Sequence, residues 1–198
     1  MKIIFLDVDG VLNAPEFLEH FFWQISKKFG IKRKGKDYLF FEKRFVRKLE
    51  WIVKQTGAKI VISSVWRNTF TDWYQWLIVF TSMGFPNCGE AVIGTTRDLH
   101  KDFRGHEIDD WLASPTEGRW EAREVDSILQ NYIILDDSRD FTENQLLQHL
   151  VPVKSRWGLT WSMARLSVRM LNRVGTKGLQ PSIPWPRPKQ RIHFESTD

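Results

Sequence analysis

Hydrophobic positions along the chain follow two rhythms. Short unbroken apolar runs, Ile3-Ile4-Phe5-Leu6, Ile60-Val61-Ile62 and Tyr132-Ile133-Ile134-Leu135, read as strands buried on both faces, the pattern of a parallel sheet. Residues 91–94 form a further strand. Val151-Pro152-Val153 reads as a short edge strand, because proline cannot donate within a sheet interior. Between these runs the spacing turns helical. Phe45, Val46, Leu49, Ile52 and Val53 mark one face of a helix over 42–56, and Gly57 is placed to end it. Further helices are expected over 71–83 (closed by Gly84 and Pro86), 104–112, 141–150 and 160–174, while 114–124 reads as a loop or a poorly defined helix. Strands alternating with helices predict an α/β fold, a parallel sheet covered on both faces.

Polar residues gather where the strands stop. Asp7 and Asp9, followed at once by Gly10, close the first strand; Ser63 and Ser64 close the second; Asp136 and Asp137 close the fourth. In an open parallel sheet these ends share one edge, the edge where ligands bind. Carboxylates converging there make a site for a divalent cation and for chemistry. Gly10 belongs to no dinucleotide fingerprint, since the further glycines that motif needs do not follow.

With 198 residues the chain is long enough for one such domain with elaborations. Its most apolar stretch, 73–85, includes Tyr74, Gln75, Thr81 and Ser82 and is too short to cross a bilayer. The first residues lack the form of a signal peptide. Cys88 is the only cysteine, which rules out an intramolecular disulfide and points to a reducing, cytoplasmic setting. The net charge of +5 is unevenly spread. Eleven Lys/Arg face three acids between Lys27 and Lys54, and seven face none between Arg165 and Arg191, whereas 90–143 is acid-rich. Such blocks fit an anionic partner larger than one phosphate, with nucleic acid the first choice, or else solvated helix faces. Ten tryptophans offer either base-stacking platforms or core and groove lining. The aromatic and basic stretch 14–41 reads as a small insert at the mouth of the first strand. The stretch 175–198, with Pro181, Pro184, Pro186 and Pro188, reads as an extended basic tail.

Taken in order, these motifs resemble those of the haloacid dehalogenase (HAD) superfamily of phosphotransferases. Asp7-Val8-Asp9-Gly10-Val11-Leu12 matches its first motif, Ser63 its second, and Leu135-Asp136-Asp137-Ser138-Arg139-Asp140 its acidic fourth. The chain is similar, more closely, to HAD phosphatase domains associated with RNA repair proteins. That likeness rests on Phe5 to Asn13, Ser63-Ser64-Val65-Trp66-Arg67, Arg104-Gly105-His106-Glu107-Ile108-Asp109-Asp110-Trp111-Leu112, Ile134-Leu135-Asp136-Asp137 and Gly158-Leu159-Thr160. The resemblance implies a Rossmann-like three-layer sandwich over 1–174 with a minimal cap insert at 14–41, followed by the tail at 175–198.

It also implies roles. Asp7 is the expected nucleophile, taking the phosphoryl group as an aspartyl-phosphate. Asp9 is the expected general acid for the leaving alcohol and then the base for water. Mg²⁺ is expected on Asp7, the backbone carbonyl of Asp9 and an acid of the fourth motif. Asp137 is the first choice for that acid and Asp136 the second, with a helix N-cap the other reading of either; Asp140 stands behind them. Ser63 is placed to donate to a phosphoryl oxygen, and Ser64 either does the same or caps the next helix. For the cation of the third motif, Arg104 fits the Arg-Gly pattern. Arg67 instead fits a clamp on substrate phosphate, and Arg97 is a third possibility. His100, His106 and His149 show no metal-ligand spacing and read as surface or packing residues.

The expected activity is a Mg²⁺-dependent phosphomonoesterase acting at a polynucleotide end, because a small insert leaves the site open to a large substrate. The alternatives are a nucleotidase or other small-molecule phosphatase, and a non-catalytic nucleic-acid-binding module. Asp7 and Asp9 argue against the last.

Overall fold

A computed structural model describes residues 1–14, 41–99, 103–113 and 131–173. Almost all of the expected insert at 14–41, the loop over 114–124, the tail at 175–198 and His100 lie outside the described residues. In chain order the elements are β1 (Lys2–Leu6), α1 (Lys43–Thr56), β2 (Lys59–Ile62), a 3₁₀ turn (Val65–Asn68), α2 (Trp73–Ser82), α3 (Cys88–Ala91), β3 (Val92–Thr95), α4 (Arg104–Ala113), β4 (Asn131–Asp136), α5 (Glu143–Gln148), β5 (Leu150–Pro152) and α6 (Trp161–Leu171).

All five strands are parallel, in the order β3-β2-β1-β4-β5. The most apolar strand, β1, is central, and the strand containing Pro152 is at the edge, where a missing N–H is tolerated. Side chains alternate across the sheet. Ile4, Leu6, Ile60, Ile62, Ile133 and Leu135 face one core, which α1, α2 and α6 close with Leu49, Trp76, Phe80 and Ala164. Ile3, Phe5, Val61 and Ile134 face the other, closed by Ile108 and Trp111 of α4 and by Phe141. This is the three-layer α/β sandwich. Many of the aromatics are simply core: Trp76 stacks on Phe80 and Phe41, and Trp111 meets Phe5 edge-on at 5.4 Å.

Local chemistry moves several boundaries from where periodicity put them. The helix expected over 71–83 starts at Trp73, because the Asp72 carboxylate takes the Gln75 N–H while the Gln75 side chain returns to the Asp72 N–H. The same reciprocal cap between Thr142 and Gln145 shortens the helix expected over 141–150, and Leu150 passes to β5. Thr160 caps α6 from outside it. The third strand begins one residue late because Cys88–Ala91 closes into a helical turn.

Two glycines test this packing. Gly57 (φ +66°) ends α1 with open space beside it, whereas a Cβ on Gly158 (φ +58°) would lie 2.5 Å from the Phe45 ring. Gly57→Ala is expected to cost about 1 kcal/mol of backbone strain. Gly158→Ala should cost about 1–3 kcal/mol more, through overpacking. Denaturant unfolding of both variants measures the difference, and equal costs would contradict the close contact.

Candidate active site

The strand ends bring the site together through the sheet's own hydrogen bonding. Past the last paired residues, the Asp7 N–H donates to the Leu135 carbonyl at 2.9 Å and the Ser63 N–H to the Leu6 carbonyl at 2.8 Å. Asp7 therefore stands between Ser63 on one side and Asp136 on the other. Continuing the alternation of each strand, all three fall on the face that α4 covers. The chain then turns tightly: the N–H groups of Val11, Leu12 and Asn13 all point to the Val8 carbonyl. Gly10 takes φ +71°, and any Cβ there would enter the Asp137 carboxylate. The glycine after the two aspartates thus serves both the turn and the close approach of the fourth motif.

Carboxylate oxygens of Asp7, Asp136 and Asp137 lie within 4.8 Å of one another. Asp7 and Asp136 are almost fully buried, at 4% and 1% exposure. Arg104, the first residue of α4, bridges them with one nitrogen, 2.9 Å from Asp7 and closer still to Asp136. Burial, then the Asp136 charge, pushes Asp7 up to about 6, although Arg104, the Ser64 hydroxyl and the Val8 N–H pull the other way. Burial also raises Asp136 against the pull of Arg104 and Ser138, and it raises Asp137 with help from the Asp7 charge. For Arg104, burial opposes the charge, but Asp136 and Asp7 outweigh it and hold the guanidinium above its usual range.

The donor set fits a hard divalent cation, for which carboxylate oxygens are the preferred ligands. Asp7, Asp136 and Asp137 would hold it. The Asp9 side chain stands outside this cluster and is exposed, leaving its backbone carbonyl for any part in the metal site. Its carboxylate is held at both oxygens, by the Asn13 amide at 2.8 Å and the Trp66 indole N–H at 2.9 Å. Ser63 is fully buried, and its hydroxyl has no partner among the described residues. Ser64 is committed, to Asp7 and to the N–H of Trp66 at 3.5 Å.

Residues 3–164 match the model of a family described as the HAD domain in Swiss Army Knife RNA repair proteins. The chain belongs to this family. No curated protein and no solved structure matches it. Membership points to a hydrolase of the phosphatase type working in RNA repair. Every site residue described above lies inside the matched span.

The HAD domain does not bring every expected residue to the cluster. Arg67 is turned into a buried pair with Glu107, whose carboxylate it holds at 2.9 and 2.8 Å, and it also reaches Thr96 at 3.0 Å. At 9% side-chain exposure its charge needs that fixed partner, so in this structure it is a brace between the 3₁₀ turn and α4, not a clamp open to phosphate. Arg97 forks onto Asp110 at the surface. Neither Asp136 nor Asp137 caps α5, whose cap is Thr142; Asp136 instead accepts the Ser138 N–H at 2.8 Å. His149 packs flat on Tyr132, and His106 lies against Phe103.

Sequence reasoning placed Asp140 behind the acidic pair but missed its contact with α4 and the other supporting residues. Asp140 meets the N–H of Arg104 with its side chain and that of Gly105 with its carbonyl, and Gln145 donates to the Gly105 carbonyl at 3.0 Å. These contacts aim the start of α4 at Asp7. Trp66 and Asn13, which hold Asp9, lie inside the motif blocks that carry the resemblance, but nothing in the sequence tells that they meet Asp9.

The brace gives a prediction. Glu107→Ala should leave the buried Arg67 charge with only the more distant Asp98, at 3.8 Å, and cost about 3 kcal/mol in denaturant unfolding. Unchanged stability with lost activity would mean instead that Arg67 serves the substrate.

Proposed function

We propose that this HAD domain is a Mg²⁺-dependent phosphomonoesterase that removes a terminal phosphate from a polynucleotide through an aspartyl-phosphate. The reading places catalysis in one domain over 1–174, with 14–41 as a small cap insert and 175–198 as a tail, in the cytoplasm. The observation that carries it is Arg104 bridging buried Asp7 and Asp136, with Asp137 beside them and, next along the sheet edge, the Ser63 hydroxyl, which has no partner among the described residues.

In this reading a carboxylate oxygen of Asp7 attacks phosphorus, and the bond to the leaving oxygen breaks as Asp9 gives that oxygen a proton. Water then attacks the phosphorus of the acyl phosphate, Asp9 takes its proton, and Asp7 is regenerated. Ser63 donates to a phosphoryl oxygen, and Arg104 offsets the charge that builds up on the equatorial oxygens. Mg²⁺ held by Asp7, Asp136 and Asp137, with the Asp9 carbonyl, would screen the phosphate from the carboxylates that surround it. Trp66 and Asn13 fix the direction in which the Asp9 carboxylate points.

A phosphate-release screen tests the substrate and the site together. Single-stranded RNA and DNA bearing 3′- or 5′-phosphate should be hydrolysed in preference to mononucleotides and sugar phosphates. EDTA should stop the reaction, Mg²⁺ should restore it, and Asp7→Asn should abolish it. Turnover by Asp7→Asn, or activity confined to free nucleotides, would overturn the corresponding half.

The hold on Asp9 has its own signature. Trp66→Phe keeps the ring but loses the N–H, so kcat/KM, which reports transfer to Asp7 and not the later attack by water, should fall about tenfold for an alkyl phosphate, whose alcohol needs a proton to leave. For p-nitrophenyl phosphate, whose phenolate leaves unaided, the fall should be far smaller. Equal losses on both esters would show that Trp66 acts through the fold alone.

A further inference from the structure

Away from the reacting groups, the side of α1 that meets the start of α6 brings cations together with the buried Phe45 ring and two exposed indoles. Lys48 Nζ lies 4.9 Å from the centre of the Phe45 ring and 5.8 Å from that of Trp161. Arg44 lies 4.5 Å above Phe45, and Arg156 is 5.4 Å from the ring of its neighbour Trp157. Trp157 and Trp161 are 50% and 46% exposed, far more than a core aromatic. Trp51 braces Trp161 edge-on at 5.5 Å, so the exposed indole is held in place. Glu42 pairs with Arg44, but Lys48 donates to the Arg44 carbonyl at 3.0 Å. Burial and the Arg44 charge lower the Lys48 pKa, a sign of cations crowded together.

This patch adjoins the loop carrying Asp7 and Asp9. The Leu159 N–H donates to the Val11 carbonyl at 2.9 Å, and the Glu42 N–H to the Leu12 carbonyl at 2.8 Å. Both the turn holding Arg156 and Trp157 and the first turn of α1 therefore hang on the active-site loop. From there Arg44 and Lys48 lead down α1, separated by about 6 Å of helix rise. Cations alternating with ring faces suit a strand whose phosphates and bases are both accessible. A duplex keeps its base faces stacked inside and would leave the indoles unused.

We propose that Arg44, Lys48, Arg156, Trp157 and Trp161 form a track for the single-stranded RNA that leads to the terminal phosphate, cations on phosphates and indoles under bases. The proposal rests on the reading of the substrate as a polynucleotide end.

Binding is measured by fluorescence anisotropy on the full chain carrying Asp7→Asn, with labelled, terminally phosphorylated single-stranded RNA. Adding Trp157→Ala and Trp161→Ala together should raise Kd at least tenfold, as loss of base stacking requires. Adding Lys48→Ala instead should lower the slope of log Kd against log salt by about 0.7, one single-strand phosphate contact. Duplex RNA of the same sequence should bind more weakly. In the active protein, the double tryptophan variant should lower the ratio of kcat/KM for the phosphorylated oligonucleotide to that for p-nitrophenyl phosphate by the same factor. An unchanged Kd, an unchanged salt slope, or a preference for duplex would overturn the track. If the active protein hydrolyses aryl phosphate but its RNA affinity ignores these residues, the track fails and the phosphatase reading stands. If it releases phosphate from no ester, yet the variants lose RNA binding, the phosphatase reading fails and the track stands.

Discussion

Mutual repulsion among Asp7, Asp136 and Asp137 is the constraint on which the rest of the structure depends. Their oxygens lie within 4.8 Å of one another, and two of the three are sealed from water that would otherwise screen them. A fold tolerates such a cluster only if something fixed opposes it. Arg104 does so from the first position of α4. It offsets part of that charge, and a divalent cation held by the three carboxylates would offset the remainder. In the proposed function, the cost of assembling like charges is matched to the binding of metal and the handling of phosphate.

Arg104 reaches its place because of how the sheet is layered. Asp7, Ser63 and Asp136 continue the alternation that puts Phe5, Val61 and Ile134 against the smaller core, so they face the layer to which α4 belongs. Asp140 and Gln145 hold the start of that helix from one side. Arg67 and Glu107 hold its next turn from the other. The 3₁₀ turn bearing Arg67 also carries Trp66, whose indole N–H is on Asp9. One buried ion pair therefore links the helix that supplies the cation to the turn that orients the second aspartate.

What could be read from sequence was whatever local pattern determines. Unbroken apolar runs marked β1, β2 and β4, and acids and serines at their ends marked the site, because a buried strand can hold such groups only at its termini. Gly57 as the stop of α1 followed from the left-handed turn a helix end requires. The rest depends on contacts distant in sequence. The Arg-Gly pattern singled out Arg104, but nothing local tells that Glu107 waits for Arg67 and Asp136 for Arg104. Trp66 was one tryptophan among ten until the fold set it 2.9 Å from Asp9. Helix starts at Trp73 and Glu143 were displaced by side-chain caps that hydrophobic periodicity does not register.

The central claim is that Asp7, among several carboxylates gathered at one sheet edge, is the group that becomes phosphorylated. The direct measurement is to quench the protein with acid during Mg²⁺-dependent turnover, reduce with borohydride and locate the modified acid by peptide mass spectrometry. The account predicts homoserine at position 7 and at no other acidic position. Reduction at Asp9, Asp136 or Asp137, or none at any position while phosphate is being released, would contradict it.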